Sequence, residues 1–155
     1  MTLFVLLLIA NGAPVVARMV LHDRFVRPVD GGLNFVDGRR LLGPRKTVLG
    51  LLSAALATML VALILNVSWQ SGLVVAAGAM AGDMLSSFIK RRVGVAPHGV
   101  VVGLDQLPEA LVPLLLVKEQ FALGGWNIVM ILTAFCVTEW CLSYLIDRFD
   151  LLRTK

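Results

Sequence analysis

Four long apolar stretches dominate this chain, and each is long enough, or nearly so, to cross a bilayer core, which takes roughly 17–25 helical residues. They are about Leu3–Val20, Val48–Val67, Gly72–Ile89 and Trp126–Ile146. Hydrophobic residues fill 58% of the 155 positions, which is too apolar for a soluble domain of this size. The first stretch lacks a basic n-region and a small-x-small cleavage site, so we interpret it as a retained helix. The sequence therefore predicts an all-α integral membrane protein.

A fifth, weaker stretch runs from about Leu107 to Leu123 and is interrupted by prolines and charged residues. We count it as a span because of the distribution of positive charge. The links rich in basic residues alternate with the link at 68–71, which has none, and with the link after the weak stretch, which has Lys118 alone. The basic links and the tail carry Arg18, Arg24, Arg27, Arg39, Arg40, Arg45, Lys46, Lys90, Arg91, Arg92, Arg148, Arg153 and Lys155.

By the positive-inside rule, this alternation predicts five transmembrane helices with the N-terminus outside and the C-terminus in the cytoplasm. We expect a single domain over residues 1–155, located in the plasma (inner) membrane. No internal repeat or low-complexity segment indicates a second unit.

Asp83 lies near the predicted cytoplasmic end of the third span, although a carboxylate inside a bilayer costs roughly 2.5–3.5 kcal/mol even on insertion-based scales. At helical spacing, Asp83, Ser87 and Lys90 share one face. A carboxylate suits Mg²⁺, and a hydroxyl and an ammonium suit the phosphate oxygens that the metal carries. The alternative interpretation is an intramembrane salt bridge between Asp83 and a neighbouring helix.

Asp105 opens the fourth span at the same predicted boundary, and Glu109 follows one helical turn later. In isolation Asp105 is a typical helix N-cap. If Asp83 and Asp105 converge, they form a one- or two-metal site on the cytoplasmic side. The acidic residues therefore indicate a polar site at this boundary.

The first predicted cytoplasmic loop contains Asp37, the pair Arg39 and Arg40, and Lys46. Guanidinium forks and an ammonium group suit polyphosphate or a lipid phosphate. The alternative is a loop that only sets topology and touches anionic lipid headgroups.

Three other features stay open or have a simple interpretation. Asn11 either bends the first helix open toward a cavity or only packs. Glu139 either lines the same cavity or pairs with another helix. Cys136 and Cys141 are five positions apart, point in different directions on a helix, and are predicted to be free thiols.

Four segments, in order, carry a resemblance to a known family: ANGAPV, PVDGGLNFVDGRRLLGPRKT, GAMAGDMLSSFIKRRVGVAPHG and LDQLPEALV. Together they run from about residue 10 to 113, and the most specific are DGRRLLGPRKT and GDMLSSFIKRR followed by LDQ. With these motifs the chain closely resembles the CDP-archaeol synthase family, small membrane cytidylyltransferases related to the phosphatidate cytidylyltransferases. The fifth span matches only in type.

The resemblance implies that CTP and a lipid phosphate react to give a CDP-lipid and pyrophosphate for phospholipid biosynthesis, with Mg²⁺ required. The family's usual substrate is 2,3-bis-O-geranylgeranylglycerol phosphate, which gives CDP-archaeol. The resemblance implies that Asp83 and Asp105 hold the metal and that Lys90 acts with them in catalysis. It assigns substrate contacts to Asp37, Arg39, Arg40, Lys46, Thr47, Ser87 and Arg91.

Other functions compete with this one. The same chemistry on phosphatidate would give CDP-diacylglycerol, and nothing in the apolar spans distinguishes isoprenoid from acyl chains. A small ion- or proton-coupled transporter would use Asp83 and Glu139, but most charges cluster at one rim and no inverted repeat is evident. A scaffold subunit leaves the polar stripe on the third span unexplained. The expected partners are CTP, a lipid phosphate and membrane lipids, with no nucleic acid, and symmetry statistics favour a homodimer.

Overall fold

The computed structural model describes residues 1–21, 27–95, 101 and 103–153, with side chains described as far as Tyr144. Within these residues the chain forms five α-helices: α1 (Thr2–Leu21), α2 (Val48–Ile64), α3 (Trp69–Val93), α4 (Gln106–Leu116) and α5 (Gly125–Arg153). The prediction of an all-α chain with five helices is confirmed. Of the basic residues that carry the topology prediction, Arg24 and Lys155 lie outside the described residues.

Three of the described helices are long and apolar enough to cross a membrane, namely α1, α3 and the 125–144 part of α5. Helix α2 is slightly shorter, with 17 residues. Helix α4 has only 11 residues, so it is about 17 Å long against a hydrocarbon core of about 30 Å. The predicted fourth span was too long as a helix: α4 ends at Leu116, and residues 117–122 form turns. The exposed polar residues Lys118 and Glu119 follow directly, where an apolar helix could not continue.

Helix α3 packs against α1, α2 and α4, while α5 packs against α4 and α1. The largest core cluster joins Leu6 and Leu7 of α1, Val75 of α3, Leu114 of α4 and Phe135 of α5. The described side chains of α5, over residues 125–144, are nevertheless mostly exposed, since only 6% of the apolar window there is buried. An apolar helix with so little protein around it requires lipid as its surroundings.

Glycines on α3 allow the neighbouring helices to approach closely. A Cβ atom at Gly72 would lie 2.8 Å from Ala62 Cβ of α2, and one at Gly78 would lie 2.7 Å from Pro113 Cα of α4. A Cβ atom at Gly82 would overlap the backbone of Pro108. Close backbone contact through small residues is the usual way in which membrane helices pack.

The described part of the link between α1 and α2, residues 27–47, folds back on itself, so that its first and last residues lie together. Val29 N donates to Lys46 O at 2.7 Å, and Val48 N donates to Arg27 O at 3.0 Å. Inside this loop the Asp30 carboxylate is buried and accepts hydrogen bonds from the backbone N–H groups of Gly32, Leu42 and Gly43 at 3.0–3.1 Å. The loop is therefore an ordered element that starts and ends beside the first residue of α2.

The two cysteines lie on α5, and both are free thiols, as predicted.

Candidate active site at the end of helix α3

Two lysine–aspartate pairs connect α3 to the elements around it. Lys46, two residues before α2, donates to Asp83 Oδ1, and both side chains are about one-fifth exposed. About two turns further along α3, Lys90 Nζ lies 2.6 Å from Asp105 Oδ1. The salt-bridge interpretation of Asp83 is thus confirmed in part, with a loop lysine as its partner rather than a residue of a neighbouring helix. Asp83 and Asp105 thus each form a salt bridge with a different lysine.

Asp105 directly precedes α4, but its side chain makes no capping hydrogen bond to the described residues of that helix. Its carboxylate pairs with Lys90, and Val101 N donates to its other oxygen at 3.4 Å. Asp105 thus occupies the N-cap position of α4 without capping the helix through its side chain. The ion pair fixes the start of α4 to the end of α3.

Asp83 also lines a cavity of about 870 Å³ to which the first loop and all five helices contribute. Its polar lining consists of Asn11, Arg18, Arg45, Lys46, Thr47, Asp83, Glu109, Glu139 and Ser143. The two residues that the sequence left open, Asn11 and Glu139, thus both face this cavity. The amide of Asn11 also donates to Leu7 O at 3.0 Å, one turn earlier on α1.

Glu109 on α4 and Asp83 on α3 line the same cavity, with their carboxyl groups close enough to interact. This proximity follows from the glycine packing, because the backbone of Pro108 lies where a Cβ atom of residue 82 would stand. The residues that follow Gly82 and Pro108 in sequence are Asp83 and Glu109, and they are brought together. The absence of a side chain at Gly82 thus places two carboxyl groups beside one lysine.

Four other predicted site residues are buried or make local contacts. Ser87 and Arg91 are buried on α3, at 3% and 8% exposure, and Arg91 Nη1 donates to Val95 O at 2.7 Å. Thr47 caps α2, since its Oγ1 accepts from Gly50 N at 3.1 Å. Arg40 Nε lies 3.6 Å from a carboxylate oxygen of Asp30. Their contacts with substrate remain a prediction.

The remaining two, Asp37 and Arg39, bind the end of α3. Asp37 Oδ1 accepts from Arg39 N at 3.0 Å and from Arg92 Nη1 at 2.5 Å. Arg39 Nη1 donates to Arg91 O and Arg92 O at 3.1 and 2.8 Å. Their predicted role in binding substrate also stays a prediction, because both side chains are occupied by loop–helix contacts.

Sequence reasoning missed Asp30 and Arg92 as organising residues. Burial is the largest single influence on the carboxyl group of Asp30, and it opposes ionisation. The hydrogen bonds from the N–H groups of Gly43, Gly32 and Leu42 and the positive charge of Arg40 together outweigh burial, so the pKa of this carboxyl group is lowered. The Asp30-Gly31-Gly32 run signals a turn, and that was the one available sign. Arg92 was assigned to topology alone.

The carboxylates of this site can hold a magnesium ion only if the substrate supplies the other ligands of the ion. In the described part of the chain, no three His, Cys, Asp or Glu side chains form a group that could hold a metal. Magnesium is usually held by one or two carboxylates, with substrate phosphates and water as the other ligands. Asp83, with Glu109 beside it in the cavity, fits that pattern. Asp105 is paired with Lys90 and is not among the residues that line the cavity.

Comparison with known proteins gives consistent matches. The family model described as CarS-like, CDP-archaeol synthase, matches residues 2–149. CDP-archaeol synthases of Thermofilum pendens and Hyperthermus butylicus are 39% and 42% identical over 104 and 106 residues, and in each case the aligned part is 64% of this chain. It covers 51% and 60% of those relatives, so the chain spans about half to three-fifths of their length.

One solved structure, described as an intramembrane enzyme for archaeal membrane lipids biosynthesis, is 33% identical to this chain and has a TM-score of 0.76. The superposition covers 92% of this chain and 91% of that one. The chain therefore shares the fold of that solved structure.

Proposed function

The chain belongs to the CDP-archaeol synthase family, and from that membership we propose that it transfers the cytidylyl group of CTP to an archaeal lipid phosphate. The products are a CDP-lipid of the CDP-archaeol type and pyrophosphate. The observation that carries the proposal is the family match over residues 2–149, which includes both lysine–aspartate pairs and every residue that lines the cavity.

In this reaction an oxygen of the lipid phosphate attacks the α-phosphorus of CTP, and the bond to the leaving pyrophosphate breaks. Such chemistry requires positioning and charge neutralisation more than covalent help from the protein. The lysines of the two ion pairs, Lys46 and Lys90, supply cations at the end of α3. The cavity that starts beside Lys46 extends to Asn11 and Glu139, and this gives a polar headgroup a place among apolar helices.

Magnesium belongs to the same proposal, and when bound it neutralises phosphate oxygens. Asp83 would hold it with Glu109 beside it, and Asp105 is a second ligand by family resemblance. Lys46 pairs with Asp83, so its ammonium group lies beside the carboxylate that would hold the metal and supplies a second positive charge for the phosphates there. We also place this site on the cytoplasmic side of the plasma membrane, because the first loop and the end of α3 carry most of the basic residues of the described chain.

The test is a turnover assay on the purified protein in proteoliposomes with CTP and Mg²⁺. One arm contains 2,3-bis-O-geranylgeranylglycerol phosphate and another contains phosphatidate, and the readouts are pyrophosphate and CDP-lipid. We expect turnover with the ether lipid that stops when the metal is chelated. Turnover with phosphatidate alone would mean that the substrate is the ester lipid and not the ether lipid. Turnover with neither lipid would contradict the enzymatic function.

A further inference from the structure

The first loop and the end of α3 are held together by two interlocked arginines. The guanidinium of Arg92 lies 4.8 and 4.9 Å from the ring centroids of Phe35 and Phe88, and those rings meet edge to face. The same guanidinium donates to Asp37 Oδ1 at 2.5 Å. Arg39 makes the reverse contact from the loop to the helix. We call this group of residues, Phe35, Asp37, Arg39, Phe88 and Arg92, the arginine clasp.

The clasp uses backbone groups that a helix end leaves available. Arg39 donates to the carbonyl oxygens of Arg91 and Arg92 in the last turn of α3, and Gly94 N also donates to Arg91 O at 3.4 Å. A cation at this position also interacts favourably with the negative end of the helix dipole. In return, Arg92 Nη2 donates to Arg40 O at 2.7 Å. Each arginine thus fixes the backbone of the other's segment.

These contacts determine where the cations of two different segments stand. Arg40 is held at its backbone by Arg92 and at its side chain by Asp30. Lys90 and Arg91 lie directly before Arg92 on α3. A triphosphate carries several negative charges and needs cations from more than one segment at fixed separations. The clasp sets the separation between the loop cation and the helix cations.

The clasp lies apart from the packed core. Residues 31–39 are exposed, whereas the core cluster consists of helix residues such as Leu6, Leu114 and Phe135. Loss of the clasp therefore leaves the helices packed and loosens only the loop. A change in nucleotide binding is expected rather than a failure to fold.

We propose that Arg92 and Asp37 are positioning residues for nucleotide binding, and that the clasp holds the first loop at the distance from α3 that the triphosphate of CTP requires. This inference rests on the proposed function for the identity of the nucleotide. It gives Asp37 a role different from direct substrate contact. The lipid phosphate, bound in the cavity between the helices, depends on the clasp far less.

The test compares Arg92→Gln, Asp37→Asn and the double variant with the wild type. Each single change should raise the KM for CTP by about tenfold, because a hydrogen bond to a charged group is worth about 1.4 kcal/mol or more. The KM for the lipid phosphate and kcat should stay within about twofold, the pattern expected when only binding of one substrate is lost. The double variant should be no worse than Arg92→Gln alone, since that change already removes the hydrogen bond to Asp37.

Two further variants separate positioning from general damage. Arg92→Lys keeps the charge without the fork, so its KM for CTP should lie between those of the wild type and Arg92→Gln. Lys118→Gln removes an exposed cation outside the clasp and should leave KM for both substrates unchanged. Trypsin gives a readout that needs no activity: cleavage after Arg39 and Arg40 should be faster in Arg92→Gln than in the wild type.

The outcomes are distinct. An unchanged KM for CTP in Arg92→Gln, equal losses for both substrates, or unchanged trypsin cleavage would overturn the clasp. If the wild type binds CTP with Mg²⁺ in calorimetry but does not turn over any lipid phosphate, only the proposed transfer reaction fails, and CTP affinity replaces KM as the readout. If the wild type does not bind CTP, both proposals fail.

Discussion

At the scale of single residues, Asp83 is the central residue of the candidate site. Its carboxylate contacts Lys46, lies close to Glu109 and faces the cavity. We expect Asp83→Asn to lower kcat by about 100-fold or more, as is usual when a group that stabilises developing charge is removed. The amide keeps the shape of the carboxylate and removes its charge. Pyrophosphate release measured against Mg²⁺ concentration checks this.

Asp105→Asn is the matched comparison. Because Asp105 pairs with Lys90 and Asp83 faces the cavity, the Mg²⁺ requirement should rise more in Asp83→Asn than in Asp105→Asn. Near-normal rates in Asp83→Asn would contradict its role as a metal ligand. An equal rise in both variants would favour the two-carboxylate site that the family resemblance implies.

Asp30 makes the stability of the first loop depend on pH. A carboxyl group whose pKa is lowered on folding contributes stability that is fully present above its unfolded pKa, near 3.8, and is lost as pH falls through the folded value. Asp30→Asn should cost about 1–3 kcal/mol near neutral pH, because a buried charged acceptor of several N–H groups is replaced by a neutral one. Thermal unfolding in detergent measures this difference, which should shrink below pH 3.8.

The control for this prediction is Glu119→Gln, which changes an exposed carboxylate after α4 and should leave the unfolding curves unchanged. A difference between wild type and Asp30→Asn that persists unchanged at low pH would contradict the account, since the ionised carboxylate would then not be the source.

The sequence identified the acidic residues that face a bilayer but not those that organise a loop. Asp83 stood out because a carboxylate in an apolar span is costly, and that cost is visible from the sequence alone. Asp30 lies in a polar link where a carboxylate is ordinary, and its burial depends on how residues 28–47 fold over it. Arg92 had a sufficient explanation in topology, so its contact with the rings of Phe35 and Phe88 could not be anticipated.

At the scale of elements, the contact between α3 and α4 depends on small residues of α3. We expect Gly82→Ala to destabilise the protein by about 1–3 kcal/mol, the usual cost of overpacking, since the added Cβ atom meets the Pro108 backbone, which cannot move like a flexible side chain. It should also reduce activity, because the shift separates Glu109 from Asp83. Thermal unfolding and pyrophosphate release measure the two effects.

Gly12→Ala is the matched control on α1, because a Cβ atom at Gly12 meets nothing within 4 Å. It should be neutral or slightly stabilising, as alanine favours a helix over glycine. Equal losses in both variants would show that helix propensity, not the contact with Pro108, decides the outcome.

Helix α4 shows what charge patterns can and cannot predict. The alternation of basic links predicted a membrane-spanning segment between Arg92 and the last apolar stretch, and the helix α4 is present there. The predicted span continued to Leu123 because Phe121 and Leu123 are apolar, but the polar residues 118–120 interrupt that run and the chain turns there. Turning there requires the positive φ of 46° at Ala122, which tertiary packing imposes on a residue with no turn preference of its own.

At the scale of the whole molecule, the candidate site combines residues far apart in the sequence. Lys46, Asp83, Glu109 and Glu139 come from four different parts of the chain and line one cavity. Periodicity placed Asp83 on a helix face, but only the packing of α3 against α4 and of α5 against α1 determines which side chains that face meets. The residues that belong to the site were therefore partly predictable from the sequence, but the contacts between them were not.

The orientation of the molecule in the membrane follows from the positions of its basic residues. If basic links stay in the cytoplasm, the first loop faces inward and the link between α4 and α5 faces outward. Single cysteines in a Cys136→Ser, Cys141→Ser background can report this, at Val36, which is 96% exposed, and at the exposed Glu119. A membrane-impermeant maleimide should label Glu119→Cys in right-side-out vesicles and Val36→Cys only in inverted ones, and the cysteine-free background should stay unlabelled. The reverse pattern would place the lysine–aspartate pairs on the outer face, where CTP is not supplied, and would contradict both the orientation and the cytoplasmic site.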